Sequence, residues 1–208
     1  MSFTEGSYEN ALISLYESMG YQHLYGPDIE RDYYVPFYEE QVLNSLSSIN
    51  PNKPQAAIHE AIAKLKDIDT GSLTQKNELF MDYIQHGVEV SYFDGKEQRN
   101  EIVYLIDYEH IHRNDFQIVN QWTFVEHSEK RADMVVFING LPLVVIELKS
   151  PSREETDASE AYLQLRNYMK EIPSLFIYNV FCVMSDMACS KAGTITSKED
   201  RYMEWKTK

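Results

Sequence analysis

Only two cysteines, Cys182 and Cys189, occur in 208 residues, so no disulfide framework holds this chain. Their separation of 7 positions fits no usual zinc-ligand spacing, which leaves the ordinary reading of buried thiols. Long apolar runs are missing too. Nowhere does the sequence reach the roughly 18 consecutive apolar residues of a membrane span. The opening MSFTEGSYEN has neither the basic nor the apolar segment of a secretory signal. A cytoplasmic protein is expected. No G-x-x-x-x-G-K-[ST] phosphate loop occurs, so ATP is not held here in the P-loop manner. Positive charge is scarce: 19 Lys and Arg stand against 33 Asp and Glu, a formal charge of -14. That balance opposes a protein that works mainly by gripping phosphate backbones. A nucleic-acid role then needs a local device, either carboxylates that gather a cation or partner surfaces that do the gripping.

What is present suffices for one core, since 43% of the residues are hydrophobic. Residues 3–19 read as a helix with a stripe of Leu12, Leu15, Tyr16 and Met19, stopped by Gly20. Glu5 and Glu9 extend that stripe backward, so Glu9 is expected to point inward; a helix-start carboxylate favoured by the dipole is the plainer reading. Residues 21–34 read as a loop. Helices near 37–48, 54–67 and 73–86 form a helix-rich block at about 35–87, read as a helical insertion within one domain spanning 1–208. From Val88 the period changes to two, predicting a hairpin of 88–93 and 102–106 and then strands at 116–125, 132–138 and 142–149. A helix over 156–170 and a buried strand over 179–184 complete an α/β pattern around one mixed sheet.

The chemistry concentrates at the ends of two of these strands. Asp133 begins one, while Glu147 and Lys149 end the next, beside some of the most apolar sequence in the chain. Ionised groups in such surroundings cost several kcal/mol unless they are paired or coordinated. An isolated E-x-K is most simply an ion pair at a strand end. The position of Asp133, 14 residues before Glu147 across an Asn139-Gly140 turn, gives it a second meaning. A strict two-residue turn pairs Ile138 with Leu141 and Asp133 with Ile146, which puts the two acids on opposite faces. A three-residue loop, or a bulge, pairs Ile138 with Pro142 and sets Asp133 opposite Glu147. The odd loop is the expected solution. Two adjacent carboxylates, with the Leu148 carbonyl between Glu147 and Lys149, are the hard oxygen ligands that Mg²⁺ prefers. Lys149 beside such an ion would orient an attacking water and neutralise charge on phosphorus. Gln164 and Tyr168, four apart, project from one helix face toward the strands. His110 and His112 make a weaker metal pair, for which no third ligand follows at useful spacing.

The segments NDFQIVNQW (114–122), RADMVVFINGLPLVVIELKSP (131–151) and QLRNY (164–168) resemble the N-terminal nuclease region of type I restriction enzyme R subunits, over about residues 5–208. The resemblance implies a restriction-endonuclease-like PD-(D/E)xK fold, a mixed central sheet flanked by helices. It implies a type I site-specific deoxyribonuclease activity in which Asp133, Glu147 and the Leu148 carbonyl hold Mg²⁺, for which Mn²⁺ can substitute. Lys149 would be the catalytic lysine, Gln164 and Tyr168 supporting active-site residues, and Glu9 a further acid facing the metal. Double-stranded DNA, the modification and specificity subunits, and a downstream ATP-driven motor of the same polypeptide are the implied partners. One departure is visible: Ala132 stands where the family usually has proline, a position that supplies no ligand. A non-catalytic docking module of the same fold is the alternative, because fold alone does not guarantee activity.

Overall fold

The structure, a computed structural model, describes residues 5–149, 158–185 and 189–204. Helix α1 (Glu5–Ser18) leads into a short strand β1 (Gln22–Tyr25). Three helices follow, α2 (Glu39–Ile49), α3 (Gln55–Lys66) and α4 (Leu73–His86). After a hairpin of β2 (Val88–Phe93) and β3 (Gln98–Val103) come the long strands β4 (Phe116–Val125), β5 (Glu129–Ile138) and β6 (Leu141–Leu148). Helices α5 (Ala158–Glu171) and α6 (Pro173–Ile177) then precede β7 (Phe181–Ser185), β8 (Ser190–Gly193) and β9 (Met203–Glu204). Among the described residues seven strands form one mixed sheet in the order β1-β4-β5-β6-β7-β8-β9, with β1 parallel to β4 and β6 parallel to β7; β2 and β3 pair apart from it. This is a mixed sheet flanked by helices, consistent with the restriction-endonuclease-like fold. No helix among the described residues is long and apolar enough to cross a membrane.

The two faces of the sheet are covered differently. On one face, Ile118, Met134, Val136, Ile146 and Leu148 pack with Ile13 of α1 and with the buried stripes of α2 and α3, including Val42, Leu46, Ile58 and Leu65. The helices at 39–86 thus contribute to the same core as the sheet. On the other face, Val119, Val135, Phe137, Val145 and Met184 pack under Ala161, Leu165 and Tyr168 of α5 and Leu175 and Phe176 of α6. Strand β6 is buried at every position, as its unbroken apolar run requires.

Several expectations are corrected. The segment at 21–34 contains β1, which the sequence hides because four residues, Gln22–Tyr25, alternate too briefly to register. The buried stripe of α1 is rotated: Ile13 is buried, whereas Leu15 and Met19 are exposed, because the helix packs through Tyr8, Leu12 and Tyr16. Strand β3 begins at Gln98 rather than 102, its polar first half being exposed in a two-stranded ribbon. The first two positions of the helix expected from 156 lie outside the described residues.

The turn between β5 and β6 is even, not odd. Asn139 and Gly140 both adopt left-handed backbone, φ 53° and 79°, and Ile138 pairs with Leu141 rather than Pro142. The reset of phase comes two residues later, where the register shifts between Val136 and Phe137: Phe137 pairs with Pro142 and Val136 with Val144. Leu143 is the extra residue, and it lies on the same apolar face as Val144. Gly140 also admits α2: a Cβ there would stand 2.7 Å from the Val42 nitrogen and 2.8 Å from the Tyr38 carbonyl oxygen, which belong to the backbone. Gly140→Ala is therefore expected to destabilise by about 2 kcal/mol or more, from left-handed strain plus the contact. A loss of unfolding free energy in urea smaller than about 0.5 kcal/mol would contradict the assignment.

Candidate active site

The bulge at Leu143 decides where the charged residues meet. From Val136↔Val144 the pairing runs to Met134↔Ile146; extended by one rung, that register brings Asp133 toward Glu147, whose carboxyl feels its charge. The paired rungs end at Met134↔Ile146, and beyond them the Leu148 N–H donates to Asp133 Oδ2 at 2.8 Å. That bond is charge-assisted, and it fixes the peptide between Glu147 and Leu148 as well as the carboxylate. Lys149, whose N–H donates to the Ser185 carbonyl on β7, turns its Nζ back to Glu147 Oε1 at 2.8 Å. The ion pair expected of an isolated E-x-K is present.

It does not complete the site. Glu147 is 2% exposed, with the Tyr168 hydroxyl beside its carboxylate, and among the described residues no well-formed hydrogen bond reaches its buried Oε2. Burial, and then the negative charge of Asp133, push its carboxyl up to about 7, against the lowering effect of Lys149. A buried carboxylate oxygen beside a second carboxylate is an arrangement that a cation or a proton must neutralise. Asp133, Glu147 and the Leu148 carbonyl are hard oxygen donors, so the residues present fit a divalent ion.

Helix α5 closes the site from its side of the sheet. Gln164 Nε2 donates to the Tyr168 hydroxyl at 3.0 Å, and that hydroxyl donates to the Arg131 carbonyl at 2.9 Å, two residues before Asp133. The Tyr168 phenol is raised above its ordinary range by burial and by the charge of Glu147, with a smaller push from Asp133. Thus Asp133, Glu147, Lys149, Gln164 and Tyr168, from β5, β6 and α5, are brought together.

Glu9, half-buried on α1, is held by β4. It points inward, but its two oxygens accept from neighbouring amides on β4, Oε1 from Asn120 Nδ2 at 2.6 Å and Oε2 from Gln121 Nε2 at 2.8 Å. Among the described residues no three acids, histidines or cysteines form a metal-binding group, and the hydrogen-bond partners of Glu9 are the amides of Asn120 and Gln121. His112 lies on a separate 3-10 turn (Ile111–Arg113) that His110 precedes, and His110 Nδ1 approaches Asp107 at 3.5 Å. Sequence reasoning passed over Asn120 and Gln121, although two adjacent amides in the apolar run of β4 were a visible signal. It also passed over Tyr8, whose hydroxyl lies 2.6 Å from Ser185 Oγ on β7. Through Tyr8 and Glu9 the start of α1 reaches β7 and β4, the strands on either side of the β5–β6 pair.

Residues 2–201 match the family described as Type I restriction enzyme R protein N terminus. The chain is 32% identical, over 97% of its length, to the Type I restriction enzyme HindI endonuclease subunit of Haemophilus influenzae, of which it covers 20%. It is 30% identical, over 95% of its length, to the Putative type I restriction enzyme MjaIXP endonuclease subunit of Methanocaldococcus jannaschii, again covering 20%. With the Type I restriction enzyme EcoprrI endonuclease subunit of Escherichia coli it shares 27% identity over 95% of its length, covering 61% of that protein. The chain therefore spans about a fifth of the first two relatives' length.

Proposed function

Because the chain belongs to the type I restriction enzyme R protein N-terminal family, we propose that it is the divalent-ion-dependent nuclease region of such a subunit, hydrolysing DNA phosphodiesters. The observation that carries this reading is the meeting of Asp133 with Glu147 across the bulged β5–β6 pair, with one buried Glu147 oxygen lacking a well-formed hydrogen bond among the described residues. Asp133, Glu147 and the Leu148 carbonyl would hold the ion, Mg²⁺ or Mn²⁺. When bound, it supplies Lewis acidity toward a phosphodiester oxygen and lowers the pKa of water.

The protein's own groups have separate tasks. Lys149, held against Glu147, presents a positive charge where negative charge develops on the phosphate, and it orients the attacking water. Tyr168 fixes the β5 backbone through the Arg131 carbonyl, and Gln164 fixes Tyr168, so α5 sets the height of Asp133. The chain's charge of -14 leaves little for gripping DNA alone. Delivery of DNA is assigned to a motor in the same polypeptide, the only part that would need ATP, and to modification and specificity subunits.

The deciding experiment is a Mn²⁺ titration of the 208-residue protein followed by electron paramagnetic resonance. Specific binding is expected in the parent, weakened at least about tenfold by Asp133→Ala, since even groups that only support metal ligands are worth that much. A parent that binds no Mn²⁺ sinks the nuclease reading and leaves the docking module, in which the same charges serve only as an ion-pair cluster.

A further inference from the structure

The strand pair β4–β5 changes face at one rung, and that rung contains Asp133. Before it, Ile118 lies on the α1 face and Val119 on the α5 face, and Asn120 reaches Glu9 of α1. After it, Trp122 and Phe124 both pack on the α5 face. On β5, Met134 and Val136 belong to the α1 face, yet Ala132 belongs to the α5 face. The register on either side, Asn120↔Met134 and Trp122↔Ala132, has no inserted residue, so both strands turn over together at Gln121 and Asp133. Gln121 has φ 56°, one of two non-glycine residues in the left-handed region among the described residues; the other is Asn139 of the hairpin turn. A long side chain there costs roughly 1–2 kcal/mol and persists only where its surroundings hold it.

The surroundings do hold it. In regular extended strand, consecutive side chains point to opposite faces, so Asn120 and Gln121 could not share one acceptor. With Gln121 left-handed, both amides reach the two oxygens of Glu9. His23 Nε2, 2.9 Å from Asn120 Oδ1, ties the same group to β1. Gly26, just after β1, lies so close that a Cβ there would stand 2.6 Å from the Gln121 carbonyl oxygen and 2.8 Å from that of Asn120.

We infer that Gln121 is a positioning residue whose left-handed backbone, clamped by Glu9, turns Asp133 out of the strand alternation and onto the Leu148 N–H beside Glu147. Glu9 then serves the site through β4 and not as a ligand. The inference rests on the two-carboxylate reading of the site for its functional consequence, but its structural core is testable without metal, through the hydrogen exchange of the Leu148 amide.

In the metal-free parent that amide is protected by Asp133, and Asp133→Ala is the control that removes the protection. Gln121→Val, whose β-branched side chain resists positive φ, is expected to lower Leu148 protection at least tenfold relative to its β6 neighbours and to weaken Mn²⁺ binding similarly. Gln121→Gly, which accepts the left-handed backbone, keeps protection within about threefold of the parent. Glu9→Gln, which puts a donor against one of the two amides, lowers protection before any metal is added. Protection unchanged in both Gln121→Val and Glu9→Gln overturns the inference. If Glu9→Gln lowers only Mn²⁺ affinity, Glu9 is a ligand and the inference is likewise overturned. If Gln121→Val does not fold, Gln121→Gly and Glu9→Gln decide the matter. Absence of Mn²⁺ binding in the parent tells against the nuclease reading alone, because Leu148 exchange still reports on the clamp.

Discussion

Glu147→Gln is expected to stabilise the metal-free protein at pH 8 by about 3 kcal/mol while abolishing its response to Mn²⁺. The sign follows from the direction of the shift. Burial and Asp133 raise the folded carboxyl to about 7, above its ordinary value of 4.5. Below 4.5 the group is protonated whether the chain is folded or not, and it imposes no penalty. Between 4.5 and 7 the unfolded chain releases the proton first, and the fold loses roughly 1.4 kcal/mol per pH unit. Above 7 the loss is constant. Glutamine resembles the protonated acid and escapes the penalty. The gain from Glu147→Gln should therefore vanish near pH 4, grow through the interval and level off above neutrality. Urea unfolding of both proteins across pH, with and without Mn²⁺, measures this. A variant less stable than the parent at pH 8 would show that Lys149 already neutralises Glu147 and that the site has no need of a cation. Ligand linkage supplies the second arm, since saturating Mn²⁺ stabilises the parent only.

On the proposed nuclease reading, removal of Lys149 is expected to have the largest effect on catalysis. Lys149→Ala should lower DNA cleavage by about 10²–10⁴-fold, the usual range for a positioned group that assists proton transfer or developing charge. The substitution belongs in a full-length subunit assembled with its partners, because this chain spans about a fifth of its first relatives. Mn²⁺ binding should survive, because Asp133 and Glu147 remain. Its pH dependence should move upward, because Lys149 lowers the Glu147 carboxyl and that help is gone. Lys149→Arg is expected to restore little: the planar guanidinium keeps the charge but does not match the compact ammonium seated 2.8 Å from Glu147 Oε1. Cleavage by Lys149→Ala within threefold of the parent would remove Lys149 from the chemistry and reduce it to an ion-pair partner.

Much of the fold was legible because local physics writes it into the residues. The apolar run of β6, the stripes of α2, α3 and α5, and the glycine after α1 announce elements that form largely where expected. β1 and β3 were misjudged for opposite reasons. The four-residue β1 owes its existence to parallel pairing with β4, and β3 is a half-polar ribbon strand with no apolar face to advertise it. On α1, Leu15 and Met19 look as apolar as Leu12, yet tertiary packing selects Tyr8, Leu12 and Tyr16 for the interior.

The sequence by itself determined which side chains are the candidates for the chemistry. A carboxylate, then Glu and Lys two apart at the end of a strand buried on both faces, then Gln and Tyr four apart on a helix, are intervals along the chain, and they stand without coordinates. Tertiary structure decided how those groups face one another. Side chains in a sheet alternate, so one inserted residue reverses every group beyond it. Here an even turn at Asn139-Gly140 is offset by a bulge at Leu143, and a left-handed Gln121 turns the neighbouring strand at the rung of Asp133. Neither device has a local signature strong enough to be read in advance, since each depends on strands and a helix distant in sequence. The same distance explains Glu9, whose carboxylate meets amides more than a hundred residues away.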